Sequence, residues 1–135
     1  MLTPQDAASF LANVPKEKAF RTYLGPEIGN LYGLADALET ISDDSFNHHV
    51  NSEKNDFAKW IRDIIKDEEL ASSITGILRK PAMARIVRKR IELLERIKTE
   101  SHALTSERFV SGVIDFIIGM IIGFIMGIII TFFFR

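Results

Sequence analysis

The stretch NDFAKWIRDIIKDEEL, residues 55–70, contains the clearest helix of the chain and the beginning of the next one. Its apolar residues recur at the i, i+3, i+4, i+7 and i+8 spacing of one helix face, namely Phe57, Trp60, Ile61, Ile64 and Ile65. We expect Asn51 or Ser52 to cap this helix. Asp67, which two further acids follow, predicts the start of a second helix, because carboxylates are favourable at a helix N-terminus.

The segments on either side carry further helix start signals. Upstream, the predicted helices are a short one after Thr3-Pro4, one over Lys16–Tyr23, one over Leu31–Ile41 with Asn30 as its cap, and one from Ser42 through His49. Residues 25–33 predict a loop, because they are rich in glycine and proline. Pro81 predicts the start of a long basic helix. Since no stretch shows sustained strand alternation, the sequence predicts an all-α bundle of about six short helices.

The C-terminal segment, residues 109–134, differs in composition from the rest of the chain. Of its 26 residues only Ser111, Asp115 and Thr131 have polar side chains. About 20 apolar residues cross the hydrocarbon core of a bilayer, so the segment predicts one C-terminal transmembrane helix. Lys and Arg favour the cytoplasmic side, and Arg96, Lys98 and Arg108 precede the segment whereas Arg135 alone follows it. We therefore expect a tail-anchored, single-pass protein of the cell membrane with its N-terminal domain in the cytoplasm.

This interpretation divides the chain into three parts. Residues 1–100 form a cytoplasmic helical domain whose last helix, over 81–100, lies next to the membrane. Residues 101–108 form a short linker, and residues 109–134 form the transmembrane helix. The bilayer is thus one predicted partner, and an unknown protein that binds the cytoplasmic domain is another.

Charge is segregated within the domain. Residues 1–78 have a net charge of −6, whereas residues 79–98, the basic segment, have a net charge of +6. The basic segment favours contact with anionic lipid headgroups, which we expect at Arg85, Arg88, Lys89 and Arg90. The alternative is a solvated helix face that docks on the acidic residues 1–78. A nucleic-acid partner is not expected, because no aromatic residues accompany the basic ones.

Small and polar residues in the apolar segment recur every four positions, at Ser111, Asp115, Gly119, Gly123, Gly127 and Thr131. Such a row winds slowly around a helix, and its glycines allow two backbones to approach closely. We therefore expect a homo-oligomer that associates through this row. Asp115 either marks the membrane interface or bonds within the packing face. The alternative function is a subunit of a small oligomeric pore or transporter with Asp115 facing the lumen.

The residue types offer little for catalysis. The chain has no cysteine, which excludes disulfides, thiol catalysis and thiolate metal sites. His48 and His49 are adjacent and would point about 100° apart on a helix, so both cannot bind one ion. We expect His49 to bond to Asp56 or to a backbone group. No catalytic residue, metal or cofactor is predicted, and a metal-dependent enzyme is the least favoured function.

Three motifs suggest a family. They are Phe46-x-x-His49, Asn55-Asp56-Phe57-x-x-Trp60-Ile61 and Asp67-Glu68-Glu69-Leu70-Ala71, with Ala19-Phe20 upstream. Over roughly residues 14–95 the chain resembles an uncharacterised family of prokaryotic, often archaeal, helical domains. The motif residues are Phe20, Phe46, His49, Asn55, Asp56, Phe57, Trp60, Asp67, Glu69 and Leu70. The resemblance implies no activity, only a small helical module that recurs in different contexts, so we expect an interaction or adaptor module held at the membrane.

Overall fold

The computed structural model describes the backbone of residues 2–133 and the side chains of residues 2–100, 116–118 and 120–122. The chain divides into two units, Met1–Lys98 and Thr99–Arg135. The elements in chain order are α1 Pro4–Leu11, β1 Phe20–Arg21, β2 Glu27–Ile28, α2 Leu31–Thr40, α3 Asp43–His49, α4 Asp56–Trp60, α5 Glu68–Ile74 and α6 Lys80–Phe133. A 3₁₀ turn over Lys16–Lys18 precedes β1, and a π-helical turn over Ile61–Ile65 follows α4.

Four helices begin at residues whose side chains cap them as predicted. Thr3 forms a capping box with Asp6 at α1, in which each side chain bonds to the other's backbone N–H. The side chains of Asn30, Ser42 and Asp67 each accept a backbone N–H bond three residues further on, at the starts of α2, α3 and α5. These caps satisfy N–H groups that the helix itself leaves without partners.

Helix α4 differs from the prediction at both ends. Its cap is Asn55, whose side chain accepts the N–H of Ala58 at 3.0 Å, so the predicted cap at Asn51 or Ser52 is wrong. The Asn51 side chain instead accepts two N–H bonds within the preceding turn. At the other end, the chain widens into the π-helical turn and stops at Lys66, which has a φ of 72°.

A β-hairpin replaces the helix predicted over Lys16–Tyr23. Strands β1 and β2 are antiparallel, with Phe20 opposite Ile28 and Arg21 opposite Glu27. The loop predicted over residues 25–33 therefore contains a strand, and the unit Met1–Lys98 is mostly helical rather than all-α. The local sequence does not show this pairing, because each strand has only two residues and depends on partners elsewhere in the chain.

The core of the unit Met1–Lys98 lies where α2, α4, α5 and the first turns of α6 meet. Its largest fully buried apolar side chains are Ile28, Leu31, Leu34, Leu38, Phe57, Ile61, Leu70, Ile74, Met83, Val87 and Leu94. Of the predicted face of residues 57–65, Ile64 alone is only partly buried. The N–H of Lys66 bonds to the carbonyl of Ile61, five residues earlier instead of four. This π-helical turn rotates the side chains that follow away from the regular helix face.

The predicted transmembrane helix is corrected by the structure. No helix within the described residues is long and apolar enough to cross a membrane. Helix α6 begins in the basic segment and includes residues 101–108. The predicted membrane localisation and tail anchor depend on that helix and are corrected with it. The side chains of the four-residue row, Ser111, Asp115, Gly119, Gly123, Gly127 and Thr131, lie outside the described side chains.

A buried ion pair joins α6 to α5. The Arg90 guanidinium donates to both carboxylate oxygens of Asp67, at 2.8 and 2.9 Å, and the two side chains are 8% and 1% exposed. Asp67 also accepts the N–H of Leu70 at 3.1 Å, and Arg90 donates to Glu69 at 2.8 Å. Removing one partner of such a pair leaves the other charge buried without compensation, which is strongly destabilising.

We predict that Asp67→Ala lowers the free energy of unfolding by about 3–5 kcal/mol, because it removes the buried carboxylate that pairs with Arg90 and leaves the exposed Glu69 as its counter-ion. Glu68→Ala is the matched control, since Glu68 is the next residue and forms an exposed pair with Arg62. It should cost less than about 1 kcal/mol. Urea unfolding of the full chain, followed by Trp60 fluorescence, measures both variants, and equal losses would contradict the assignment.

Candidate functional site

The aromatic motif residues meet around Phe20. The ring centroid of Phe20 lies 4.8 Å from that of Phe57, 4.9 Å from His49 and 6.0 Å from Trp60. Phe46 stacks against the far side of the group, 6.2 Å from Phe57. Residues from β1, α3 and α4 thus form one aromatic cluster, and edge-to-face contacts of this kind add to the stabilisation from burial.

His49 connects this cluster to the hairpin. Its Nε2 accepts the backbone N–H of Tyr23 at 2.9 Å, and its Nδ1 lies 3.1 Å from Oδ2 of Asp56. Because Nε2 accepts, Nδ1 carries the proton and donates to the carboxylate. The predicted bond from His49 to Asp56 or to the backbone is confirmed in both forms, and His49 is only 7% exposed.

Asp56 is held as an anion by its neighbours. Burial raises the pKa of the Asp56 carboxyl, but hydrogen bonds from Lys54 and His49 lower it by more, so the pKa lies below its usual value. The Lys54 ammonium is 2.9 Å from the same oxygen that His49 approaches. The anion, in turn, keeps the His49 ring oriented toward Tyr23.

The remaining motif residues also make contacts within the fold. The Asn55 side chain donates to the carbonyl of Ile74 at 2.8 Å, and the Trp60 indole donates to the carbonyl of Lys18 at 2.9 Å. Leu70 is fully buried, and Asp67 and Glu69 bind Arg90. The motif residues therefore hold α3, α4, α5 and the hairpin together.

The hairpin tip is a feature that the sequence analysis missed. Leu24 has a φ of 54°, a left-handed conformation that is uncommon for leucine, and its side chain is 84% exposed. Side-chain bonds hold the tip, since Thr22 donates to the carbonyl of Pro26 and Ser45 donates to the carbonyl of Tyr23. The Tyr23 ring stacks on His48 at 4.4 Å. Gly25-Pro26 marks a turn in the sequence, but nothing local indicates the conformation of Leu24.

The four predicted lipid-contact residues differ in burial and in their partners. Arg90 is buried in its ion pair with Asp67, so its guanidinium is not exposed on the surface of the domain. Arg88 donates to Glu39 and Asp36 on α2, which raise the pKa of its guanidinium, Glu39 having the largest effect. Both arginines follow the docking alternative, in which basic residues pair with the acidic part of the chain. Arg85 and Lys89 are exposed.

No catalytic arrangement is evident in the described part of the chain. No group of three His, Asp or Glu residues there is placed to hold a metal ion. The rings of His48 and His49 are inclined by 79°, as expected for neighbours on a helix. Two cavities of about 210 and 420 Å³ lie along α6, and neither is lined by a histidine.

We predict that protonation of Asp56 lowers the free energy of unfolding of the domain at acid pH. Since the folded pKa of Asp56 is depressed, its contribution is complete above the ordinary carboxyl pKa of 3.8 and is lost as the pH falls below it. Asp56→Asn lacks this titration, so the unfolding free energies of the two proteins should differ at pH 7 and converge toward pH 3. Asp44→Asn, at an exposed acid of α3, is the control. A difference for Asp56→Asn that stays constant with pH would contradict the assignment.

Residues 13–118 match one family, described as "Family of unknown function (DUF5752)". The match covers well over half of the 135 residues. No curated protein and no solved structure matches the chain. The expected membership in an uncharacterised family is thus confirmed, and the chain belongs to the family of unknown function DUF5752.

Proposed function

We propose that the protein is a non-catalytic interaction module that acts as an assembly of identical chains. The observation that carries the proposal is a group of exposed apolar side chains on α6. Between 44% and 72% of each is exposed, and the group consists of Phe116, Ile117, Ile118, Met120, Ile121 and Ile122. Contiguous exposed apolar surface marks a site of association.

A second copy of α6 is the partner that best fits this surface. Gly119 lies within the group, and Gly123 and Gly127 follow at steps of four in the sequence. The distance between two packed helices depends on the side chains at the contact, so a row of glycines favours close packing. Identical surfaces that meet each other form closed, symmetric pairs.

The unit Met1–Lys98 would then be the part that each copy presents to other proteins. Its motif residues are used in caps, ion pairs and the aromatic cluster, which supports an interaction module rather than an enzyme. We also infer that prokaryotic, often archaeal, domains of this kind share the same motifs. In it, the motifs maintain the fold and the outer surface of the domain selects the partner.

The experiment uses single-cysteine variants of the full chain, which has no cysteine of its own. At about 100° per residue, positions 116 and 122 flank Gly119, whereas positions 117 and 121 lie on the opposite side of the helix. We predict that Phe116→Cys and Ile122→Cys form disulfide-linked dimers several-fold faster under mild oxidation than Ile117→Cys and Ile121→Cys. Non-reducing electrophoresis measures the rates.

A bulky residue in the glycine row provides the second variant. Gly123→Ile, made in the Phe116→Cys background, should reduce dimer formation because it separates the two backbones. Ile121→Phe in the same background adds bulk on the opposite side and should have little effect. Equal crosslinking at all four cysteine positions, or unchanged crosslinking in Gly123→Ile, would overturn the proposed assembly.

A further inference from the structure

One surface of α6 in the unit Met1–Lys98 combines exposed cations with exposed apolar groups. We call it the α6 outer face, and it consists of Arg85, Ile86, Lys89, Leu93, Arg96 and Ile97. Leu93 is 41% exposed, and Ile86 and Ile97 are partly buried. The steps of three and four residues place all six on one side of the helix, over about three turns.

A small cavity lies within this face. It has a volume of about 210 Å³, and its apolar lining comes from Leu70 on α5 and from Ile86 and Leu93 on α6. Its polar lining comes from Lys89 and Arg90 on α6 and from Glu69 and Ser73 on α5, and Glu69 is paired with Arg90. Because Leu70 is itself fully buried, an apolar side chain that entered from outside would contact the core of the domain.

The cations of the α6 outer face differ from the other cations of the basic segment in their pairing. Lys80, Arg88 and Arg90, also in the basic segment, bind Asp43, Asp36, Glu39, Asp67 and Glu69. For Arg85, Lys89 and Arg96, by contrast, no ion pair is found among the described residues. The same stretch of helix contains two acids, Glu92 and Glu95, and Glu95 accepts a hydrogen bond from the Tyr32 hydroxyl. The three cations of the face therefore leave it with an excess of positive charge.

We propose that the α6 outer face binds a helix of a partner protein that carries one large apolar side chain flanked by acidic residues at helical spacing. The apolar side chain would enter the cavity beside Leu93, and the acids would lie opposite Arg85, Lys89 and Arg96. These cations extend over about 16 Å of the helix axis, which a parallel or antiparallel helix can follow. Charge complementarity of this kind selects partners and orients them.

This chemistry favours a protein helix over other anionic partners. The cavity has the volume for one apolar side chain next to Lys89, and binding to phosphates does not require such an apolar cavity. The inference rests on the proposed interaction module and names the chemistry of its partner. It involves residues 85–97, whereas the assembly involves residues 116–122, so the two proposals can fail independently.

The experiment measures binding of a labelled helical peptide to the full chain by fluorescence anisotropy. The peptide has about 18 residues, five helical turns, with a central Leu and with Glu three and four residues away on both sides. We expect it to bind, with an affinity that falls as salt rises. The same peptide with Lys in place of Glu should not bind, and replacement of the central Leu by Ala should weaken binding about tenfold.

Variants of the protein locate the site. Leu93→Ala should weaken binding by a factor similar to that of the peptide change, and Lys89→Glu should abolish it. Lys59→Glu is the matched control, because Lys59 is exposed on α4 and its replacement changes the net charge equally. Circular dichroism of each variant verifies that the fold is retained, and the crosslinking pattern at residues 116–122 should be unaffected.

Several results would overturn the inference. They are no binding of the acidic peptide, equal losses in Lys89→Glu and Lys59→Glu, and no effect of Leu93→Ala. A fourth is binding to vesicles that contain anionic lipid, but not to the peptide, with Lys89→Glu abolishing it. If crosslinking fails but the peptide binds as expected, the docking site stands and the assembly falls.

Discussion

Arg90 and Asp67 form a buried, bidentate ion pair, and the orientation of α6 depends on this pair. A desolvated guanidinium must have its partners placed at the correct angle, so the pair admits one rotation of the helix. That rotation directs Met83, Val87 and Leu94 into the core and leaves Arg85, Lys89 and Leu93 outside. It also ties the cap of α5 to α6, because Asp67 serves both.

The family assignment and the proposed function concern different parts of the molecule. The motif residues form the aromatic cluster, the His49 contacts and the ion pair, which are interior features. A fold held in this way can present many different outer surfaces, so membership of the family identifies the scaffold and not its partner. The partner has to be inferred from groups that the scaffold does not use, such as Lys89 and the exposed part of Leu93.

Most interactions between residues close in sequence were predictable, with the Asn55 cap as an exception, and those between distant residues were not. The caps at Thr3, Asn30, Ser42 and Asp67 require only residues within three positions, so sequence reasoning finds them. The hairpin was missed because Phe20 depends on Phe57 and Trp60, and the burial of Arg90 was missed because its partner lies 23 residues earlier. Hydropathy alone predicted a membrane-spanning helix, and no described helix meets that requirement.

The bonds of the N-terminal third have a consequence for the order of events during synthesis. Trp60 donates to the carbonyl of Lys18, 42 residues earlier, and Arg88 donates to Asp36, 52 residues earlier. Tyr32 similarly donates to Glu95, 63 residues later. Contacts over such separations close only after the later residue has left the ribosome, so the hairpin and α2 cannot complete their packing as they emerge. The contact of Trp60 with the hairpin can form first, and the packing of α2 is completed only after Arg88 and Glu95 of α6 have emerged.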